Sequence, residues 1–88
     1  MISSKLRIYG RVQGVYFRQS TMNKAKELGI NGTVRNCDDG TVEVNAEGND
    51  VQMKRFIEWC HNGPANARVE RIEIIDQSFK NYKGFDIR

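Results

Sequence analysis

Near the middle of the chain, Asp39-Gly40 stands directly before Thr41-Val-Glu-Val-Asn-Ala. An aspartate-glycine pair ahead of alternating β-formers is among the strongest short-range signals for a tight hairpin. Upstream, Thr33-Val-Arg-Asn-Cys is also rich in β-formers, so residues 31 to 47 are predicted to form two antiparallel strands. Val42, Val44 and Ala46 share one side of the second strand, and Thr41, Glu43, Asn45 and Glu47 share the other. The first set is expected to face a core and the second to face water, or nearly so. In a chain of 88 residues, which holds one compact core and little else, every other long element must pack against this hairpin.

The flanking segments supply such elements on both sides. Leu6, Ile8 and Val12 lie on one parity with Gly10 between them, the period of a strand with one buried face, near residues 4 to 12. Met22, Ala25 and Leu28 then recur at helical spacing and Gly29 supplies a stop, which predicts a helix from about Arg18 to Leu28. Beyond the hairpin, Met53, Phe56, Ile57 and Cys60 follow an i, i+3, i+4, i+7 pattern. Asn49 or Asp50 can cap that helix, Gly63-Pro64 ends it, and Trp59 falls beside its apolar stripe, as a core-edge residue or part of a binding surface. Ala67 to Ile75 reads as a strand whose apolar parity changes between Val69 and Ile72. A bulge, or burial of both faces, would explain the change. A polar loop from Gln77 to Lys83 precedes a short closing strand, Gly84 to Arg88. The order βαββαβ plus a terminal strand is that of an α+β, ferredoxin-like split βαβ fold. One domain over residues 1–88 is expected, with an antiparallel or mixed sheet carrying both helices on one face.

Composition narrows the function classes. Hydrophobic residues at 39% and charged residues at 28% are globular values. No apolar run approaches the roughly 18 residues of a membrane span, and the N-terminus lacks the roughly 7 to 15 residue apolar region of a signal peptide, so a soluble, cytoplasmic protein is expected. The net charge of +3 is spread along the chain without a basic block, which suits a small anionic ligand better than a nucleic acid. Cys37 and Cys60 are too few for a disulfide framework and are expected as free thiols, and His61, the only histidine, lacks partners for a metal site.

A turn containing Gly14 between the first strand and first helix can aim consecutive backbone N–H groups at one point by the helix N-terminus, where anions bind. Arg18 adds a planar fork of donors. Spacing alone matches no nucleotide-binding motif, so an ordinary strand-helix turn is the competing reading. Asn36, at the end of the second strand, either bonds locally in the turn or meets the first loop across the fold. Arg11 and Arg35 either steer anions or occupy a solvated strand face. Asp38, Asp39 and Glu43 could suggest acid/base chemistry, but Asp39 already has a turn to make.

Two segments together carry a resemblance. Gly10-Arg-Val-Gln-Gly-Val-Tyr-Phe-Arg18 resembles the acylphosphatase signature Gly-x-Val-Gln-Gly-Val-x-Phe-Arg, and Gly32-Thr-Val-Arg-Asn36 followed by Asp39-Gly-Thr-Val-Glu43 resembles the second signature of the same family. Gly48 and the Gly63-Pro64 to Val69 segment also match. The resemblance implies a ferredoxin-like fold and hydrolysis of the carboxyl-phosphate bond of acyl phosphates. It implies a catalytic arginine at Arg18, a catalytic asparagine at Asn36, and phosphoryl binding by the backbone amides of Gln13, Gly14, Val15, Tyr16, Phe17 and Arg18. Thr33, where many members carry an aromatic residue, and Tyr16, at a variable position, are departures at the rim. No cofactor and no metal are expected, and the partners are a small acyl phosphate and inorganic phosphate, for a monomer that engages neither nucleic acid nor membrane. A silent phosphate-binding module of the same fold is the alternative.

Overall fold

The computed structural model describes residues 1–88. Its elements are β1 (Ile2–Arg11), α1 (Phe17–Leu28), β2 (Asn31–Asn36), β3 (Val42–Gly48), α2 (Asp50–Asn62), β4 (Arg68–Asp76) and β5 (Phe85–Ile87). They form one five-stranded sheet in the order β4-β1-β3-β2-β5. Every neighbouring pair is antiparallel except β2 and β5, which run parallel. The predicted order and element types therefore hold, with boundaries shifted by one or two residues.

Local chemistry explains where the helices begin and end. At α2, the Gln52 amide donates to Asn49 Oδ1 and the Asn49 amide donates to Gln52 Oε1, both at 2.8 Å. This reciprocal capping box settles the start on Asn49 rather than Asp50. At the end of α1, Gly29 takes a left-handed conformation and its amide reaches back to Ala25 and Lys26 carbonyls. The parity change in β4 is a bulge: Tyr9 pairs with Arg71 and Gly10 with Val69, which leaves Glu70 without a partner. There the backbones come so close that a Cβ at Gly10 would run into the Arg68 carbonyl. Burial of both faces is ruled out, since β4 is an edge strand with most of its residues exposed.

The core lies between the sheet and the two helices. Leu6 and Ile8 from β1, Val34 from β2, and Val42, Val44 and Ala46 from β3 meet Phe17 and Ala25 of α1 and Met53, Phe56 and Cys60 of α2. Trp59 packs at the edge of this cluster, tilted against Phe17 with ring centroids 5.9 Å apart, as expected of a core-edge residue. Cys37 and Cys60 are buried free thiols. Burial pushes the Cys60 thiol well above its ordinary value.

The expectation of a wet outer face on β3 fails. Glu43 is 7% exposed and Glu47 only 2%. Both are covered by groups distant in sequence, which the alternation within β3 could not register. Glu43 sits among cations: Arg35 Nε donates to it at 2.9 Å, Arg7 at 3.4 Å, and Lys5 Nζ lies 3.8 Å away. Glu47 is roofed by the loop that follows β4, accepting from the backbone amides of Lys80 at 2.6 Å and Tyr82 at 2.9 Å, and from Ser3 Oγ at 2.9 Å.

Candidate active site

The segment between β1 and α1 is bent by two left-handed residues, Gly14 at φ 74° and Tyr16 at φ 67°. No atom lies near where a Gly14 Cβ would sit, so glycine is needed there for its dihedral angles rather than for room. Tyr16 is the N-cap of α1, and no side chain caps the helix. The first helical bond is Ser20 N–H to the Tyr16 carbonyl at 3.1 Å, so the preceding amides of Phe17, Arg18 and Gln19 have no acceptor within the helix. Unfilled donors at the positive end of a helix attract an anion.

These amides border an open pocket of about 380 Å³. The loop and α1 contribute Val12, Gly14, Tyr16, Phe17, Arg18 and Gln19, while Asn36 enters from the end of β2 and Ile87 from β5. The parallel pairing of β5 with β2 brings Val34 level with Ile87, which is how the end of the chain reaches the pocket wall. Arg18 is exposed and bonded to no carboxylate or other side chain, unlike Arg7 and Arg35, which are both engaged by Glu43. Its fork of donors is therefore available.

Asn36 is half-buried and carries a buried polar atom of a kind found on no other side chain in the protein. Its Oδ1 is shut off from solvent and has no hydrogen-bond partner. Such an atom carries a desolvation cost of roughly 1–3 kcal/mol, which structures retain where a function requires it. The competing assignment of Asn36 to the turn is not what the structure has. Asp39 makes that turn, its Oδ1 accepting from the Thr41 amide at 3.0 Å and the Thr41 hydroxyl at 2.6 Å. Those bonds, first the hydroxyl and then the amide, hold the Asp39 carboxyl below its usual range.

Of the residues predicted to bind the phosphoryl group, Gly14, Tyr16, Phe17 and Arg18 line the pocket together with Asn36. Val15 turns its side chain into the core, and Gln13 lies off the pocket wall with its side chain on the hairpin turn. Arg11 is exposed at the end of β1, and Arg35 is committed to Glu43, which raises its already high pKa through their hydrogen bond. Val12, Gln19 and Ile87 also line the pocket and were not foreseen. Val12 lies within the signature and Gln19 directly follows it, so both could have been suspected, whereas Ile87 carries no local signal. No three histidine, cysteine, aspartate or glutamate side chains are grouped for a metal ion.

Residues 4–87 match the acylphosphatase family. The chain belongs to this family. It is 46% identical over 87 residues to an acylphosphatase of Acidovorax sp. (strain JS42), covering 99% of this chain and 90% of that relative. It is 45% identical over 86 residues to an acylphosphatase of Thermococcus kodakarensis, covering 98% and 94%. The fold superposes on the crystal structure of acylphosphatase from Bacillus subtilis with a TM-score of 0.97 at 34% identity, covering 100% of this chain and 99% of that one. Acylphosphatases act on small acyl phosphates, and the protein is an enzyme of this kind, with hydrolysis of acyl phosphates as its expected reaction. No helix is long and apolar enough to cross a membrane.

Proposed function

We propose that the pocket hydrolyses the carboxyl-phosphate bond of an acyl phosphate without a metal ion, with Arg18 and the amides of Gln13 to Arg18 holding the phosphoryl group and Asn36 orienting the attacking water. The carrying observation is that one pocket wall brings together the Asn36 carboxamide, the unpaired Arg18 guanidinium and helix amides that have no acceptor within the helix. Oδ1 is the buried end of that carboxamide. The Nδ2 end is not shut off in this way, and it can donate to a water in the pocket.

The chemistry asks little more of the protein. A carboxylate is a good leaving group, so a loose transition state needs positioning and charge stabilisation rather than a strong base. Arg18 and the helix amides supply that charge where it develops on the equatorial oxygens. Because a neutral amide is not a strong base, the proton of the attacking water passes to a phosphate oxygen of the substrate, and carboxylate and inorganic phosphate leave.

The same reading extends to the setting: a cytoplasmic monomer, one domain over residues 1–88, without nucleic-acid partners. RNA-reading sheets of this topology stack bases on exposed aromatic side chains. Here the outer face of β1 and β3 offers Tyr9, whose ring lies 3.9 Å beneath Arg71 and whose hydroxyl donates to Glu73 at 2.6 Å. The test is turnover of benzoyl phosphate in the presence of a chelator, with inorganic phosphate as a competitive inhibitor. Chelator-resistant turnover is expected. Absence of turnover with phosphate still bound would leave a phosphate-binding module instead.

A further inference from the structure

The side chain of Gln13 does something that its backbone role does not require. Its Nε2 donates to the carbonyl of Cys37 at 2.8 Å and to the carbonyl of Thr41 at 2.9 Å. These two carbonyls are the ones that close the β2–β3 turn, since Thr41 O also accepts from the Cys37 amide at 2.9 Å and Cys37 O from the Gly40 amide at 3.1 Å. One primary amide thus spends both its N–H bonds on a turn more than twenty residues away in sequence. An amide nitrogen has two hydrogens to give, a carboxylate has none, and a hydroxyl has one.

The turn so gripped begins at the residue after Asn36. No other side chain of the phosphate loop bonds to it: Val15 and Phe17 are in the core, Gly14 has no side chain, and Tyr16 is 78% exposed. We infer that Gln13 is a positioning residue for catalysis, a strut that sets the distance and angle between Asn36 and the phosphoryl-binding loop. This rests on the proposed role of Asn36 as the water-orienting group. The loop keeps its own shape through the left-handed Gly14 and Tyr16 and the buried Val12, Val15 and Phe17. Removing the strut therefore leaves phosphate binding largely intact and misplaces the water. A misplacement of about 1 Å is worth up to roughly 100-fold in rate.

The test is a double-mutant cycle on benzoyl phosphate hydrolysis with Gln13→Met, which keeps the length and removes both donors, and Asn36→Ala. Gln13→Met is expected to lower kcat by roughly 10- to 100-fold while the inhibition constant of inorganic phosphate moves by less than about threefold. In the Asn36→Ala background, adding Gln13→Met is expected to cost almost nothing further in kcat, because the group it positions is gone. Additive losses, or equal losses in kcat and phosphate affinity, would overturn the strut. An Asn36→Ala variant with wild-type kcat would instead overturn the reading of the site on which it rests. Should Gln13→Met not fold, the wild-type protein still decides: both Gln13 side-chain amide protons are expected to exchange slowly with solvent, and exchange at the rate of a free glutamine would refute the bonds.

Discussion

Two residues other than glycine hold a left-handed backbone conformation, Tyr16 at φ 67° and Asn81 at φ 58°. Each sits in a loop beside backbone amides from which no helix or strand carbonyl accepts. Around Asn81 those amides are occupied, for the Glu47 carboxylate accepts from Lys80 and Tyr82 and from the Ser3 hydroxyl. After Tyr16 no side chain caps the helix, and Phe17, Arg18 and Gln19, whose amides have no acceptor within it, line the pocket. On the proposed function the chain builds two anion cradles and fills one from within. The filled cradle contributes stability, whereas the open one, on the same proposal, holds donors in place for a ligand. Stability and function are served by the same chemistry, separated by whether an internal carboxylate reaches the amides.

The largest effect is expected at the open cradle. Arg18→Lys keeps the charge and loses the fork, so kcat/KM for benzoyl phosphate should fall by roughly 100- to 1,000-fold, about 2.7–4 kcal/mol in the barrier, with Tm near wild type. Wild-type kcat/KM would remove Arg18 from the site. The filled cradle should answer in the opposite way. Glu47→Ala orphans the Lys80 and Tyr82 amides and the Ser3 hydroxyl, and is expected to cost about 3 kcal/mol in urea unfolding, a figure typical of breaking a buried charged contact. The folded variant should keep kcat close to wild type, and a selective loss of kcat would break the division between the two loops.

Smaller effects sharpen the comparison. Gly14→Ala has room for its methyl group but must hold φ 74°, so the expected cost is about 1–2 kcal/mol of stability together with weaker inhibition by phosphate. Unchanged phosphate inhibition would detach the shape of the loop from anion binding. Smallest is the pH response of Glu47. Burial pushes its carboxyl up, but the amides of Lys80 and Tyr82 and the Ser3 hydroxyl outweigh this, and its pKa lies below the ordinary value. A depressed folded pKa gives stability that is complete above the unfolded value of about 4.3 and lost as pH falls through the folded one. Wild-type Tm should therefore decline below about pH 4.3, and more gently in Glu47→Gln. Parallel Tm profiles would deny the carboxylate this role.

What the sequence made legible follows the range of the interactions. Asp39-Gly40 announced the hairpin, the parity change between Val69 and Ile72 narrowed β4 to a bulge or burial of both faces, and Asn49 or Asp50 marked the start of a capped helix, all through neighbours close in the chain. The two signature segments brought Arg18 and Asn36 to one pocket, as the resemblance implied. The outer face of β3 misled, because alternation records which side a residue takes and not what later covers it. Glu47 is buried by a loop more than thirty residues downstream, and Ile87 reaches the pocket only through the parallel pairing of β5 with β2. The strut from Gln13 was hidden for the same reason: a glutamine in a signature could as well have served by its backbone alone.

The central claim, that the loop binds and Asn36 makes binding productive, is tested most directly by Asn36→Ala assayed for two quantities at once, kcat on benzoyl phosphate and the inhibition constant of inorganic phosphate. The expected result is a kcat lower by roughly 100-fold or more with phosphate inhibition within about threefold of wild type. A wild-type kcat, or a loss of phosphate affinity as large as the loss of kcat, would contradict it.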